Sequence, residues 1–263
     1  MPITSRQHPV CKLVRALHDG KNRRRHGSFV VEGGNGVAAA LGARWPIQRL
    51  LGAPEDLKKG WADLAREAGI ETLEMDDDVL ASICQAQTSP GVLAIVQMPQ
   101  SLSFAAWRAP DGLALLLDGI GDPGNVGTLL RSADAIGAGA FALTENSADV
   151  FSPKVVRASA GSVFHVPIAP QTSPENWADL CKREKLPLIL AVARDGENCF
   201  DFSWPHRCVL ALGHETRGVS AELEKAATAR VTIPMFGRAE SLNVAAAGAV
   251  LLYAWRQNQE KYA

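Results

Sequence analysis

GHETRGVS at residues 213–220 and IPMFGRAESLNVAAAGAVLLYAW at residues 233–255 decide the fold. Each opens where a buried apolar strand ends (RCVLAL before the first, ARVTIP at the head of the second) and each runs into a helix. Backbone amides and small residues therefore converge on one edge of a sheet, the place where open α/β sheets bind ligands. Gly213 permits close backbone approach, Glu215 stands at the strand mouth, and Gly218 allows the turn into the next helix. In the second stretch FGRAE crosses over, and Ser241 is expected to cap a helix that opens Leu242-Asn243-Val244. The run AAAGA that follows lets another backbone approach closely, as in a tightly threaded fold or a helix-mediated dimer. Simple helix propensity in a core helix is the weaker alternative.

Working outward, DGIGDPGNVGTLLRSADAIGA at residues 118–138 repeats the same strand, loop and helix order and supplies Asn125 and Arg131. Asn125 reads as the N-cap, with Val126, Leu129, Leu130, Ala133 and Ile136 as the buried stripe. Arg131 lies on the same helical face as Gly127, over which its side chain leans toward the loop. It could as well be a surface arginine paired with Asp134 or Asp122. Gly119-x-Gly121-x-x-Gly124 also matches the dinucleotide-binding fingerprint, with Glu145 placed to serve as its acidic partner. The late helix start after Pro123-Gly124 speaks against that reading.

Strands are expected at residues 113–118, 140–144, 164–168, 187–193, 207–213 and 230–234, most of them separated by helical patterns. This predicts a mostly parallel sheet covered on both faces. Pro99, Pro110 and Gly112 place a linker at 99–111. Before it, HPVCKLVRALHDG, NGVAAALGA and LKKGWADLAREAG read as helices, and SFVVEG, QRLLGA and GVLAIVQ as strands, a compact α/β unit of about one hundred residues. The expected division is 1–98, a linker at 99–111, and 112–263.

The chain has 263 residues, 47% of them apolar and 21% charged, ordinary for a globular protein with a sizeable core. Its apolar runs are strand length, well short of the roughly 20 residues of a membrane span. The N-terminus has no apolar signal region. Five scattered cysteines without CxxC spacing point to neither a disulfide framework nor a metal knuckle, so a reducing cytoplasmic setting, without membrane or metal, is expected. The net charge of -1 hides an uneven distribution. Arg6, Lys12, Arg15, Lys21, Arg23, Arg24 and Arg25 crowd the first thirty positions, while residues 55–78 are acidic. A basic run is often only a solvated face, but this one is dense enough to meet several phosphates. Arg6, Lys12, Arg15, Arg23, Arg24 and Arg25 are the candidate nucleic-acid contacts; such contacts give affinity without sequence choice.

Together the three segments resemble motifs 1, 2 and 3 of the SpoU (TrmH-like) RNA 2'-O-ribose methyltransferases of the SPOUT superfamily. DPGNVGTLLRSADAIGA is similar to the first motif, GHETRGVS to the second and IPMFGRAESLNVAAAGAVLLYAW to the third; TENSADVFSPKVVRASAGSVFHVP at 144–167 resembles the family's middle region. The front part, with ITSRQHPVCKLVRAL, FVVEG and TSPGVLAIV, resembles more loosely an L30e-like substrate-binding domain. His214 and Thr216 depart from the residues often found in the second motif. The resemblance implies an α/β fold whose C-terminal domain is an α/β-knot, a deep trefoil knot against the rule of unknotted chains, preceded by the small α/β domain. It implies S-adenosylmethionine held by Gly213, Glu215, Gly218, Ile233, Pro234, Met235, Leu242 and Thr144, and a homodimer acting on RNA, ribosomal more readily than transfer RNA. Arg131, Asn125, Glu215, Ser241 and Asn243 are the implied catalytic set.

Two other functions fit some of these residues. A nicotinamide-dependent dehydrogenase would use the glycine fingerprint but leaves GHETRG and SLN without a role. A catalytically silent RNA-binding protein on the same scaffold would have no need of Asn125, Arg131, Glu215, Ser241 and Asn243 together.

Overall fold

A computed structural model describes residues 1–86, 89–99 and 111–261. Most of the linker expected at 99–111 therefore lies outside the described residues. By internal contact the chain forms two units, Met1–Gln100 with Asp149–Phe164, and Ser101–Ala148 with His165–Ala263.

In the first unit, helices α1 (Pro9–Leu17) and α2 (Gly20–His26) lead into β1 (Ser28–Glu32), α3 (Gly34–Gly42) and β2 (Ile47–Gly52). A short α4 (Pro54–Asp56) and α5 (Ala62–Glu67) follow, then β3 (Glu71–Glu74), α6 (Asp77–Ala81) and β4 (Val92–Gln97). The expected helix over LKKGWADLAREAG is broken: Gly60 has φ 99° and interrupts it before α5, a conformation glycine adopts without steric cost. β3 is a strand that the acidic composition of its neighbourhood concealed. The sheet order is β1-β4-β2-β3, with β4 antiparallel to both neighbours and β2 parallel to β3. α1 buries Val10, Cys11, Val14 and Leu17, the i, i+4, i+7 stripe of an amphipathic helix, against Val30, Leu51, Leu93 and Ile95 of the sheet.

Residues 149–164, including α8 (Pro153–Ala158), pack in this unit. Phe151 and Phe164 join Phe29 and Trp45 in an aromatic cluster, with centroid separations of 5.0 Å for Phe29–Phe151 and 5.2 Å for Trp45–Phe164. Trp45 Nε1 donates to the Phe164 carbonyl at 3.1 Å. Arg157 donates to Glu32 at 3.0 Å, and the Glu32 carboxylate, 2% exposed, also accepts from the amides of Gln85 and Ala86. The aromatic burial supplies the larger share of this attachment, since each such ring removes well over a hundred square ångströms from water.

The second unit holds β5 (Leu113–Asp118), α7 (Pro123–Ala135), β6 (Ala140–Leu143), α9 (Pro174–Arg183), β7 (Leu188–Ala191), β8 (Glu197–Asn198), β9 (Cys208–Gly213), α10 (Ala221–Ala226), β10 (Ala229–Thr232) and α11 (Val244–Lys261). Among the described residues its strands run in the order β6-β5-β9-β7-β10-β8, with their pairings parallel. This is a sheet of the kind the α/β-knot domain contains. β5 and β9 are apolar nearly throughout because both faces are covered. The strand expected at 164–168 is not one: Ser162–Phe164 is a single 3-10 turn and Ile168 makes an isolated bridge to Phe141. Cys208 lies in the centre of the sheet, where burial pushes its thiol up to about 12.

α11 crosses α7 at its small-residue run. A Cβ on Gly248 would lie 2.2 Å from Leu129 Cδ2 and 2.8 Å from Leu212 Cδ1, so at this position the helix needs glycine for close approach and not for chain freedom. The close approach read from AAAGA is met within the chain, at a contact in which helix, helix and strand leave no room for a methyl group.

Candidate active site

The three segments singled out in the sequence come together at the carboxyl ends of β5, β9 and β10. Asn125, in the first turn of α7, donates from Nδ2 to Glu215 Oε1 at 3.1 Å. Its Oδ1 accepts from Asn243 Nδ2 at 3.2 Å. One amide thus joins all three loops, donating on one side and accepting on the other, an arrangement that fixes which way the Asn125 amide faces.

Two helix starts differ from expectation. α7 begins at Pro123, and its N-cap is Asp122, whose side chain accepts from the Asn125 amide at 2.8 Å. Asn125 lies inside the helix, which frees its side chain to bridge the loops; Pro at the first helical position makes Asp122 the better cap. Likewise Asn243 caps α11: its Oδ1 accepts from Ala245 N at 2.9 Å and Ala246 N at 3.4 Å, while its carbonyl accepts from Ala247. Ser241 is exposed and precedes that cap. The early start of α7 removes the objection raised above against a dinucleotide helix, but none of Gly119, Gly121, Gly124 and Glu145 lines the cavity described next. The Gly119 amide instead donates to Thr144 Oγ1 at 3.1 Å and the Ile120 amide to Ser147 Oγ at 3.2 Å.

The loop after β9 is clamped on itself. His214 and Gly218 exchange backbone hydrogen bonds at 3.0 and 2.8 Å, with Gly218 at φ 70°. A Cβ on Gly213 would stand 2.2 Å from the Gly218 carbonyl carbon, so no other residue fits there without moving the loop. The clamp is tied to β5 by Asp118. Its carboxylate, in a residue 6% exposed, accepts from the Ser220 amide at 2.6 Å and from Thr144 Oγ1 at 2.9 Å. Asp118 escaped the sequence reading; the only signal was a charge closing the otherwise apolar strand LALLLD. Thr144 is wholly buried and serves this anchor, and does not line the cavity as its expected cofactor role would require.

Within these loops lies a cavity of about 620 Å³, lined by Gly213, Glu215, Gly218, Ile233, Met235, Ser241 and Leu242 among others. Its walls are the ends of the adjacent strands β7, β9 and β10. Leu212, Val192, Val244 and Leu251 add apolar surface, and Met235 and Leu242, 36% and 40% exposed, present theirs to the opening. The volume suits a drug-sized or cofactor-sized molecule. Glycine and the exposed strand ends offer backbone groups, while Glu215 and Glu240 offer negative charge to a cationic ligand. Glu224 also lines the wall, but Arg230 engages it with Nε at 2.9 Å. Such a mixture fits S-adenosylmethionine, which combines a flat base, a ribose and a cationic sulfonium. Pro234, expected at the cofactor, lies on an adjoining hollow instead.

Arg131 is exposed on α7 and makes no ion pair or hydrogen bond recorded among the described residues. Both partners proposed for it in a bland reading are engaged elsewhere: Asp134 faces His165 Nδ1 at 3.1 Å and Asp122 caps the helix. None of Asn125, Asn243 and Arg131 lines the cavity; Asn125 and Asn243 meet its rim through the hydrogen bond of Asn125 to Glu215. Of the basic candidates, Arg6, Lys12, Arg24 and Arg25 are exposed. Arg15 is half-buried and donates to the Arg6 carbonyl and Ser82 Oγ. Arg23 is corrected outright as a phosphate contact: it is 3% exposed, pairs with Asp149 at 2.6 Å and donates to the carbonyls of Leu17 and His18. Those carbonyls end α1, and a guanidinium fork satisfies both while its charge is met by the carboxylate.

Residues 112–253 match the SpoU rRNA Methylase family, and residues 8–94 match the MRM3-like substrate binding domain. The chain is 33% identical over 258 residues to the 23S rRNA (uridine(2479)-2'-O)-methyltransferase of Streptomyces viridochromogenes, covering 95% of this chain and 90% of that protein. It is 31% identical over 251 residues to the 23S rRNA (guanosine(2553)-2'-O)-methyltransferase of Bacillus subtilis, covering 95% and 97%. Among solved structures, the SpoU methyltransferase AviRb from Streptomyces viridochromogenes in complex with the cofactor AdoMet superimposes with a TM-score of 0.88 at 30% identity, covering 97% of this chain and 99% of that one. The AdoMet-bound rRNA methyltransferase from Sinorhizobium meliloti gives a TM-score of 0.84 at 29% identity, covering 98% and 97%.

Proposed function

Because this chain belongs to the SpoU rRNA methylase family, we propose that it transfers a methyl group from S-adenosylmethionine to a ribose 2'-hydroxyl of structured ribosomal RNA. The observation that carries the reading is the Asn243–Asn125–Glu215 bridge beside a cavity of cofactor size. It assembles the three motifs on one rim. A dinucleotide enzyme would need its cofactor against the 119–124 glycines, which the cavity does not touch.

S-adenosylmethionine, when bound, supplies a methyl group on a positively charged sulfur. The chain's own residues have to align the hydroxyl, exclude water and manage a proton. Arg131 remains cationic, since a guanidinium is not deprotonated in proteins. Its part is to grip the phosphate beside the reacting ribose and to stabilise charge developing on the 2'-oxygen. Asn125 and Asn243 hold the loops in register, and Glu215, with Oε1 taken by Asn125 and Oε2 3.9 Å from His214 Nδ1, receives the hydroxyl proton on Oε2 directly or through water. Arg24 and Arg25, with Arg6 and Lys12, give the first unit sequence-independent hold on RNA.

The reading includes a homodimer. Phe200 and Tyr253, 50% and 57% exposed, flank an apolar hollow along α11 with Ala249, Val250 and Ala254, a surface suited to a second copy.

The test is transfer of labelled methyl from S-adenosylmethionine to unmodified 23S rRNA transcript, with ribose methylation mapped by nucleotide. Incorporation at a 2'-oxygen is expected, with thermal protection by S-adenosylhomocysteine and none by NAD. Binding of the transcript without incorporation would convert the protein into a silent RNA binder. A sedimentation mass of one chain would remove the dimer.

A further inference from the structure

We propose that a second hollow, outside the cofactor cavity, seats a nucleotide flanking the target ribose; this rests on the reading of the protein as an RNA methyltransferase. The hollow has a volume of about 400 Å³ and lies between the segment that follows β7, at Ala193 and Arg194, and the loop from Ile233 to Glu240. It shares Ala193, Thr232, Ile233, Met235 and Glu240 with the cofactor cavity. One wall therefore separates the two spaces, and a ligand in one is held close to a ligand in the other.

Its chemistry suits a nucleotide. Ile233 and Pro234 give it an apolar floor, while Arg194 and Arg238 stand at its edge as two cations. Arg194 approaches Glu240 only to 3.8 Å, with the side chains 71% and 86% exposed, a loose contact that a phosphate can displace. Phe236 stands between the lining residues Met235 and Gly237 and is 95% exposed. A lone surface phenylalanine would need no explanation. Here, however, Met235, Phe236 and Leu242 gather three of the exposed large apolar side chains on one loop, and two of them already face the cofactor cavity. The remaining ring, beside two arginines, matches the aromatic platform with a basic rim that proteins use to stack an unpaired base while holding its phosphate. Charge complementarity favours RNA over a second copy of this chain, for which the uncharged α11 hollow is the better seat.

The experiment uses the full chain and an unmodified 23S rRNA transcript, comparing F236A, F236W and the double variant R194Q/R238Q with the unaltered protein. Loss of one stacked base predicts that F236A raises KM and the filter-binding Kd for the transcript roughly tenfold, with F236W near the original value. R194Q/R238Q should lower the slope of log Kd against log salt by roughly 1.4, two single-strand phosphate contacts. The Kd for S-adenosylhomocysteine and the sedimentation mass should not move. Unchanged RNA affinity and salt slope would overturn the proposal, as would a shift in cofactor affinity or in mass, which would assign Phe236 to the cofactor cavity or to a second copy. Absence of methyl transfer by the unaltered protein would instead refute the proposed activity, and the filter-binding arm would still decide the hollow.

Discussion

At the cavity rim, Asn125, Glu215 and Asn243 bond to one another while none of them is fully buried. On α2, Arg23 is 3% exposed and satisfies a carboxylate and two carbonyls, while Arg24 and Arg25 beside it remain in solvent. The rim side chains spend their hydrogen bonds on holding loops together and leave free atoms for a substrate. Arg23 spends four of its five donors on the fold. Polar residues that look alike along the chain are thus separated by where the helix turns them: in a seven-residue helix such as α2 one face must meet the body of the unit, and Arg23 lies on it.

The contrast can be broken at its strongest point by Arg131→Ala. If the free guanidinium stabilises the reacting oxygen, turnover should fall about 100- to 1,000-fold with unchanged affinity for S-adenosylhomocysteine, measured by single-turnover methyl transfer and calorimetry. Arg131→Lys should recover only part of this, because an ammonium cannot reproduce the planar fork; full recovery by Lys would make the role a point charge. Next in size, Arg23→Ala should lower stability by about 3 kcal/mol in urea unfolding, the low end for breaking a buried pair because Asp149 is partly exposed. An unchanged midpoint would show that the buried pair contributes nothing net to the fold.

Asn125→Ala removes both bridges at the rim and should lower kcat/KM by about 3- to 10-fold per hydrogen bond lost, with little change in melting temperature. A large stability loss would mean that the bridge belongs to the fold, like Arg23. The smallest effect is on the solvent side of α2. Arg24→Gln with Arg25→Gln should alter stability by less than about 0.5 kcal/mol yet flatten the salt dependence of rRNA binding by roughly 0.7 to 0.9 per lost contact. Salt titration of binding checks this; an unaltered slope would move the footprint off this helix.

Much of the architecture was legible because its elements obey simple periods. LALLL and CVLALG are continuous apolar runs of strand length that suit a doubly covered parallel sheet, and α1 carries a regular helical stripe. The site was legible because glycine, proline and asparagine mark its loops. The cap positions were not: Asn125 and Ser241 each stand within two or three residues of the true cap, and Asp122 and Asn243 compete for the same amides with equally good side chains. Asp118, and the anchoring role of Thr144 in place of the cofactor role expected for it, were hidden because a buried anchor between two loops depends on the spacing of strands that are distant in sequence. Arg23 was hidden because a run of three arginines has no apolar neighbour to show which one faces inward.

The attachment of residues 149–164 to the first unit has a practical meaning for recombination. A chimera that grafts the front portion of a relative onto this chain with a single junction near residue 111 would strip Phe151 and Phe164 of Phe29 and Trp45, and Arg157 of Glu32. Exchange succeeds as a unit only when three junctions are made, so that the returning segment travels with the portion it packs against.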